Sequence, residues 1–196
     1  MIQRIKDILL KPKDTWPQIK AEATNVGQVF TGYAMILAAV PAVCGLLGLA
    51  LIGQSYGPIA GLFRIPFTYA LVWAIVWYIL ILVALYVEGL VINALAPSFG
   101  SKQSMVNAYK LAVYSSTAMF VAGILNILPV LGILVFLLSL YSFYLLYVGM
   151  PVMMETPKDK LVGYYVVTLI IMIVIYFIVG GISSAVMTAM WRPALF

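Results

Sequence analysis

Histidine is absent from this sequence of 196 residues, and cysteine occurs once, at Cys44. A single thiol forms no internal disulfide, and without histidine the common His/Cys ligand sets for zinc cannot be assembled, so we expect no metal site. The same absences exclude His-based and Cys-based catalytic centres, and no HExxH pair is present. We therefore expect a protein without catalytic residues or a cofactor.

Charged side chains are also scarce: they make up 9% of the residues, while 65% are apolar and the mean hydropathy is +1.12. A soluble domain carries about 25% charged residues, enough to coat its surface with polar groups. This composition excludes a soluble globular protein. It predicts that lipid is the solvent around most of the chain.

The formal net charge is +5, and five of the eleven basic residues lie within the first twenty positions. In a soluble protein such a cluster would suggest nucleic acid. Beside a membrane-embedded body it predicts contact with anionic lipid headgroups, and we expect no nucleic-acid partner.

Four long uncharged runs follow this basic start, of 23 to 44 residues each. A helix needs about 20 apolar residues to cross the bilayer, so each run is long enough, and the longest one holds two crossings separated by Pro129. The sequence thus predicts an all-α integral membrane protein, a bundle of five transmembrane helices with a short amphipathic N-terminal arm. The predicted spans cover residues 28–52, 67–94, 105–126, 131–153 and 162–187.

Lysine and arginine are distributed unevenly over the connections between these spans. Nine of them fall on the side that carries the amino terminus, and only Arg64 and Arg192 fall on the other. Because basic loops stay in the cytoplasm, we expect the amino terminus inside the cell and the carboxyl terminus on the external side of the membrane. The predicted organisation is a cytoplasmic arm (1–26), a five-span domain (27–190) and a short external tail (191–196).

The arm contains apolar residues at helical spacing, Ile2, Ile5, Ile8 and Leu9, which predicts a short helix lying in the headgroup layer and ending at Pro12. Thr15 and Gln18 have the spacing of a capping box that starts a second short helix. The arm is interpreted either as a surface anchor or as a docking site for a partner, and the residues assigned to it are Arg4, Lys6, Lys11, Lys13, Trp16 and Lys20.

Two charged residues fall inside predicted spans, Glu88 and Lys110. A charge within the bilayer is costly and needs a partner. The short connection between the second and third spans makes them antiparallel neighbours, so the two side chains are predicted to face each other at one depth. A structural salt bridge and a site for a solute, proton or headgroup are both open interpretations.

Further polar residues are predicted at the same inner level, where they would form with this pair a pocket facing the cytoplasm. The full candidate set is Glu88, Asn93, Asn107, Lys110, Tyr114, Tyr144, Tyr147 and Tyr164. Each tyrosine alone also suits the aromatic belt at a membrane interface.

Several segments resemble one family. They are residues 11–20 (KPKDTWPQIK), Leu128-Pro129-x-x-Gly132, residues 149–151 (GMP) and residues 156–164 (TPKDKLVGY). In their order and spacing they are similar to the Yip (Ypt-interacting protein) family in its small bacterial branch. For eukaryotic members the resemblance implies vesicle traffic with Rab-type GTPases. For the bacterial branch it implies a location in the cytoplasmic (inner) membrane, with the carboxyl terminus in the periplasm, and no particular activity.

Two functions are compatible with these features. The first is a non-catalytic scaffold or adaptor that organises lipids, a membrane-protein partner or further copies of itself, and the basic arm and the resemblance favour it. The second is a small-solute or ion transporter or channel that uses the pocket near Glu88 and Lys110.

Overall fold

The computed structural model describes residues 1–55 and 62–190. Two short helices come first, α1 (Ile2–Leu10) and α2 (Pro12–Ala21). The five helices that are long and apolar enough to cross a membrane follow: α3 (Val26–Ile52), α4 (Phe67–Phe99), α5 (Met105–Ile127), α6 (Pro129–Met153) and α7 (Lys158–Met190). The predicted fold class, a five-span α-helical bundle with an amphipathic N-terminal arm, is confirmed.

Between α3 and α4 the structure forms a two-residue antiparallel pair, β1 (Gln54–Ser55) with β2 (Leu62–Phe63). Residues 56–61 between the strands lie outside the described residues. So does the predicted external tail, 191–196, with Arg192.

Helix α5 lies at the centre of the bundle. About two thirds (67%) of its most apolar stretch is buried, against 17–39% for the other four spans. It packs along α4 and α6, and its far end packs against α3. Small residues allow these close approaches: Gly89 of α4 faces Tyr109, and Gly123 faces Pro41 of α3.

A break interrupts α5 at Ser116, between helical segments Met105–Ser115 and Thr117–Ala122. No proline is present there. The Ser116 hydroxyl donates to the carbonyl of Ala112 at 3.0 Å, and the Thr117 hydroxyl donates to that of Tyr114 at 2.7 Å. Such side-chain bonds to the preceding turn compete with the helix ladder and bend it.

The second helix of the arm does not start as predicted. Helix α2 starts at Pro12, whose missing N–H suits the first helical position, and Pro17 lies inside the helix. The Thr15 hydroxyl donates to the carbonyl of Lys11 at 2.8 Å, so the predicted Thr15/Gln18 capping box is wrong. A capping box does form at the start of α3, between Asn25 and Gln28.

The apolar residues of the arm mostly face protein. Ile8, Trp16 and Ile19 are fully buried, and Ile5 and Leu9 pack against the same core. The prediction that this stripe lies in the headgroup layer is therefore corrected, because the bundle itself supplies the apolar surface that covers it. Ile2 and Leu10 remain exposed.

Gly149 of α6 marks the tightest contact of the arm. A Cβ atom at this position would lie 2.5 Å from the Trp16 ring and 2.7 Å from Leu111. We expect Gly149→Ala to lower the free energy of unfolding by about 1–3 kcal/mol, as overpacking does, despite alanine's higher helix propensity. Thermal unfolding in detergent measures this change.

Gly180→Ala on α7 is the matched control, because nothing lies within 4 Å of a Cβ atom there. It should leave the unfolding temperature unchanged or raise it. A loss of stability as large as that of Gly149→Ala would contradict the assignment of the effect to the Trp16 contact.

Candidate functional site

Lys110 holds the arm onto the bundle. Its side chain is buried in α5, and its ammonium Nζ donates to the backbone carbonyls of Ile19 at 2.8 Å and Glu22 at 2.7 Å. The last carbonyls of a helix have no partner within the helix and carry partial negative charge. One intramembrane cation thus caps the carboxyl-terminal end of α2, 91 residues earlier in the chain.

Further contacts fix the arm along its length. The Arg4 guanidinium donates to the carboxylate of Glu22, joining the start of the arm to its end. The Tyr141 hydroxyl of α6 donates to the carbonyl of Leu9 at 2.9 Å. Together with the buried Trp16, these bonds attach both arm helices to the bundle.

A second charge cluster lies on the same end of the molecule. Glu155, between α6 and α7, accepts from Lys20 of α2 at 2.7 Å and from Lys102, between α4 and α5, at 3.4 Å. Hydrogen bonds from Lys20 and then Lys102 hold the pKa of the Glu155 carboxyl below its ordinary value. One exposed carboxylate therefore connects three separate segments.

Glu155 also has a backbone φ of +52°, which side chains other than glycine rarely adopt. The surrounding turn holds it there: Lys102 N–H donates to the carbonyl of Met154 at 2.8 Å, and the Ser101 hydroxyl donates to the hydroxyl of Thr156 at 2.9 Å. This conformation directs the carboxylate toward the two lysines.

The predicted pairing of Glu88 with Lys110 is wrong. The Lys110 ammonium is occupied by the two arm carbonyls, while the buried Glu88 carboxylate accepts from the Tyr176 hydroxyl of α7 at 3.1 Å through Oε2. Glu88 Oε1 has no hydrogen-bond partner among the described residues. Two backbone carbonyls accept hydrogen bonds from the Lys110 ammonium, so the buried cation is stabilised without a carboxylate.

The other members of the predicted polar pocket have other partners. The Tyr164 hydroxyl donates to the carbonyl of Ile92, and Tyr114 packs on Tyr33 with ring centroids 4.5 Å apart. Asn93 and Asn107 lie near the ends of α4 and α5, and Tyr144 and Tyr147 lie on the exposed face of α6. No side-chain hydrogen bond that the structure describes joins two members of the candidate set.

Of the predicted arm residues, the structure divides those that dock from those that remain available. Trp16 is buried, and Arg4 and Lys20 are engaged in ion pairs. Lys6, Lys11 and Lys13 are exposed. The sequence reasoning missed Glu22 and Glu155, although both are carboxylates beside a basic segment, which was the signal available.

A family model, the Yip1 domain, matches residues 6–182. The chain belongs to the Yip1 domain family. It is similar to the inner membrane protein YohC of Escherichia coli K12 and to YohC of E. coli O6:H1 strain CFT073, with 26% identity over 145 residues in each case. The match covers 72% of this chain and 74% of each relative. No solved structure matches the chain significantly.

The family and the five apolar spans make this chain a Yip-family integral membrane protein. The resemblance seen in the sequence is confirmed. The match includes Lys110 and the three segments that carry Lys20, Lys102 and Glu155, and it begins inside α1.

We expect Lys110→Met to release the arm. The carbonyls of Ile19 and Glu22 lose their donor, which costs about 1–3 kcal/mol for buried polar groups. Hydrogen exchange of residues 1–25, followed by mass spectrometry, should accelerate, and the thermal unfolding temperature should fall.

Lys102→Met is the control for this change, because its ammonium lies 3.4 Å from Glu155 and its side chain is exposed. Its effect should stay within about 0.5 kcal/mol, as for other surface substitutions. Equal effects of the two variants would contradict the capping role of Lys110.

Glu88 and Lys110 should behave as independent sites. In a double-mutant cycle of Glu88→Gln and Lys110→Met, we expect the losses in free energy of unfolding to add within about 0.5 kcal/mol, because the two groups share no partner. A coupling energy well above that value would show that the Glu88 and Lys110 side chains interact directly, contrary to this expectation.

Proposed function

We propose that this Yip-family protein is a non-catalytic scaffold or adaptor, whose docked arm presents a rigid binding surface at the cytoplasmic face of a bacterial inner membrane. The observation that carries the proposal is the Lys110 cap. It converts a basic, amphipathic tail into a folded part of the bundle, and a surface of fixed geometry suits partner recognition better than a free tail because less conformational freedom is lost on binding.

The surface that remains available on the arm combines charge with apolar area. Ile2, Lys6 and Leu10 lie four residues apart along α1, so they share one helix face. Ile2 is 71% exposed and Leu10 is 77% exposed, and Lys11 and Lys13 continue the basic character at the start of α2. Exposed apolar side chains ringed by cations are typical of a surface that meets a protein or the headgroup layer.

The orientation in this proposal rests on the distribution of basic residues, nine on the side of the arm and two on the other. The similarity to E. coli inner membrane proteins supports the location. Transport is less favoured than scaffolding, because its premise was a site formed by Glu88 and Lys110 together, and the two side chains bind different elements.

Photocrosslinking in living cells tests the proposal. A benzophenone amino acid placed at Leu10 or Lys13 should form a protein adduct that mass spectrometry assigns to a partner on the cytoplasmic side. The same residue at Val130, which is 83% exposed at the start of α6, should form none with that partner. The adduct should disappear in a Lys110→Met background, where the arm sequence is intact and only its docking is lost.

An adduct of equal yield in the Lys110→Met background would show that the arm binds as a free tail, and it would overturn the scaffold proposal. Adducts with lipid alone from both arm positions would identify the arm as a membrane anchor.

A further inference from the structure

A cleft of about 260 Å³ opens where the arm meets the first turns of α3. Arg4, Glu22 and Thr24 line it on the arm side, and Gly32, Tyr33 and Tyr114 line it on the bundle side. It is distinct from the exposed surface of the arm discussed above, because Lys6, Leu10 and Lys13 do not contribute to it.

Its inner wall is rigid. The Thr117 hydroxyl donates its proton to the carbonyl of Tyr114, so in the 2.9 Å bond between Tyr33 and Thr117 the tyrosine is the donor. The Tyr33 and Tyr114 rings pack against each other and are both buried. The wall is therefore preformed and does not need a ligand to assemble it.

Two groups that line the cleft have capacity to bind a ligand. The hydroxyl of Thr24 is inaccessible to solvent and has no partner among the described residues, so one donor is unused. Arg4 gives one guanidinium nitrogen to Glu22, and the planar group carries five N–H donors in all. A buried unsatisfied hydroxyl beside an arginine is an arrangement that an oxyanion would complete.

The charges around the cleft favour an anion. Arg4 and Met1, which carries an amino group, line it together with the anion Glu22, and the Lys110 ammonium lies 2.7 Å from the Glu22 carbonyl. The surroundings of the cleft are therefore net positive. A phosphodiester carries one negative charge and its oxygens accept the fork of an arginine.

The depth of the cleft selects the source of that phosphodiester. Helix α3 begins at Val26, so Gly32 lies about 9 Å further along it at 1.5 Å per residue. The headgroup region on each face of a bilayer is about 5–8 Å thick, so a span that starts at the membrane surface places Gly32 just past that layer, where the acyl chains begin. A π-helical turn at Phe30–Ala34 widens α3 here, and no atom lies within 4 Å of a Cβ atom built on Gly32.

We propose that this cleft binds the headgroup phosphodiester of a membrane phospholipid, with Arg4 and Thr24 donating to its oxygens and the acyl chains leaving past Gly32 along α3. The inference goes beyond the scaffold function and needs no protein partner. Its test uses purified full-length protein, so it can succeed or fail independently of the crosslinking experiment.

The experiment titrates the purified protein in detergent, at constant ionic strength, and follows the thermal unfolding temperature. Dioctanoyl phosphatidylglycerol supplies chains and phosphodiester, dioctanoylglycerol supplies the chains alone, and sodium phosphate supplies a phosphate without chains. We expect a saturable rise in unfolding temperature with the phospholipid and none with the other two.

Gly32→Leu adds a side chain to the cleft wall at a position where a Cβ atom meets nothing within 4 Å, and it should abolish the saturable rise. Arg4→Gln should weaken the apparent affinity by about tenfold or more, the effect of losing a charge-assisted hydrogen bond. The matched controls are Gly180→Leu, which adds the same side chain in open space on α7, and Lys13→Gln, which removes an arm cation outside the cleft. Both controls should respond like the unmodified protein.

Each contrary result overturns a stated part of the proposal. An equal rise with dioctanoylglycerol would remove phosphate recognition, and saturation with sodium phosphate alone would remove the lipid as the source. A Gly32→Leu protein that still responds, with normal hydrogen-exchange protection of its arm, would place any lipid site elsewhere.

Discussion

The arrangement of the amino-terminal half depends on one buried ammonium. Lys110 is a residue of α5 whose side chain is buried, and two carbonyls at the end of α2 stabilise its ammonium. Isolated, such a charge would be costly in this environment, and the carbonyls would also be without donors. Each therefore satisfies the other, and the position of α2 follows from where the ammonium can reach.

From this contact the other features at the arm end of the bundle follow in sequence. Because α2 is fixed, Lys20 lies within reach of Glu155, and Glu22 lies within reach of Arg4 at the start of α1. These ion pairs are partly or largely exposed, so each contributes little alone and is weakened by salt. Their role is to keep already docked elements in register, while the buried Trp16 and Lys110 hold the arm in place.

The five spans were predictable because the uncharged runs of the sequence map directly onto helices that must satisfy their own backbone in lipid. The partner of Lys110 was not predictable in the same way. A carboxylate at a suitable depth, Glu88, is visible in the sequence. A backbone carbonyl exists at every position, so nothing in the sequence marks the carbonyl of Ile19 as the partner. Tyr176, which binds Glu88, likewise looked like one more tyrosine in an apolar helix.

Local patterns failed where two matches competed. Thr15/Gln18 and Asn25/Gln28 both fit a helix start, and only Asn25/Gln28 is one, because α2 had already begun at Pro12. The apolar stripe of α1 was read correctly as amphipathic, but periodicity does not say whether lipid or protein covers the stripe. That Ile8 is buried against the bundle depends on the tertiary structure, which the pattern of α1 alone does not contain.

The docking of the arm has a consequence for how the chain is made. The arm is synthesised first, yet its contacts come from segments made much later: Lys110 follows Ile19 by 91 positions, and Tyr141 follows Leu9 by 132. During synthesis the arm must wait, with Trp16 and Ile8 uncovered, until the fourth span has been inserted beside the third. Docking of the arm is thus a late event of biogenesis, because it requires the third and fourth spans to be in place.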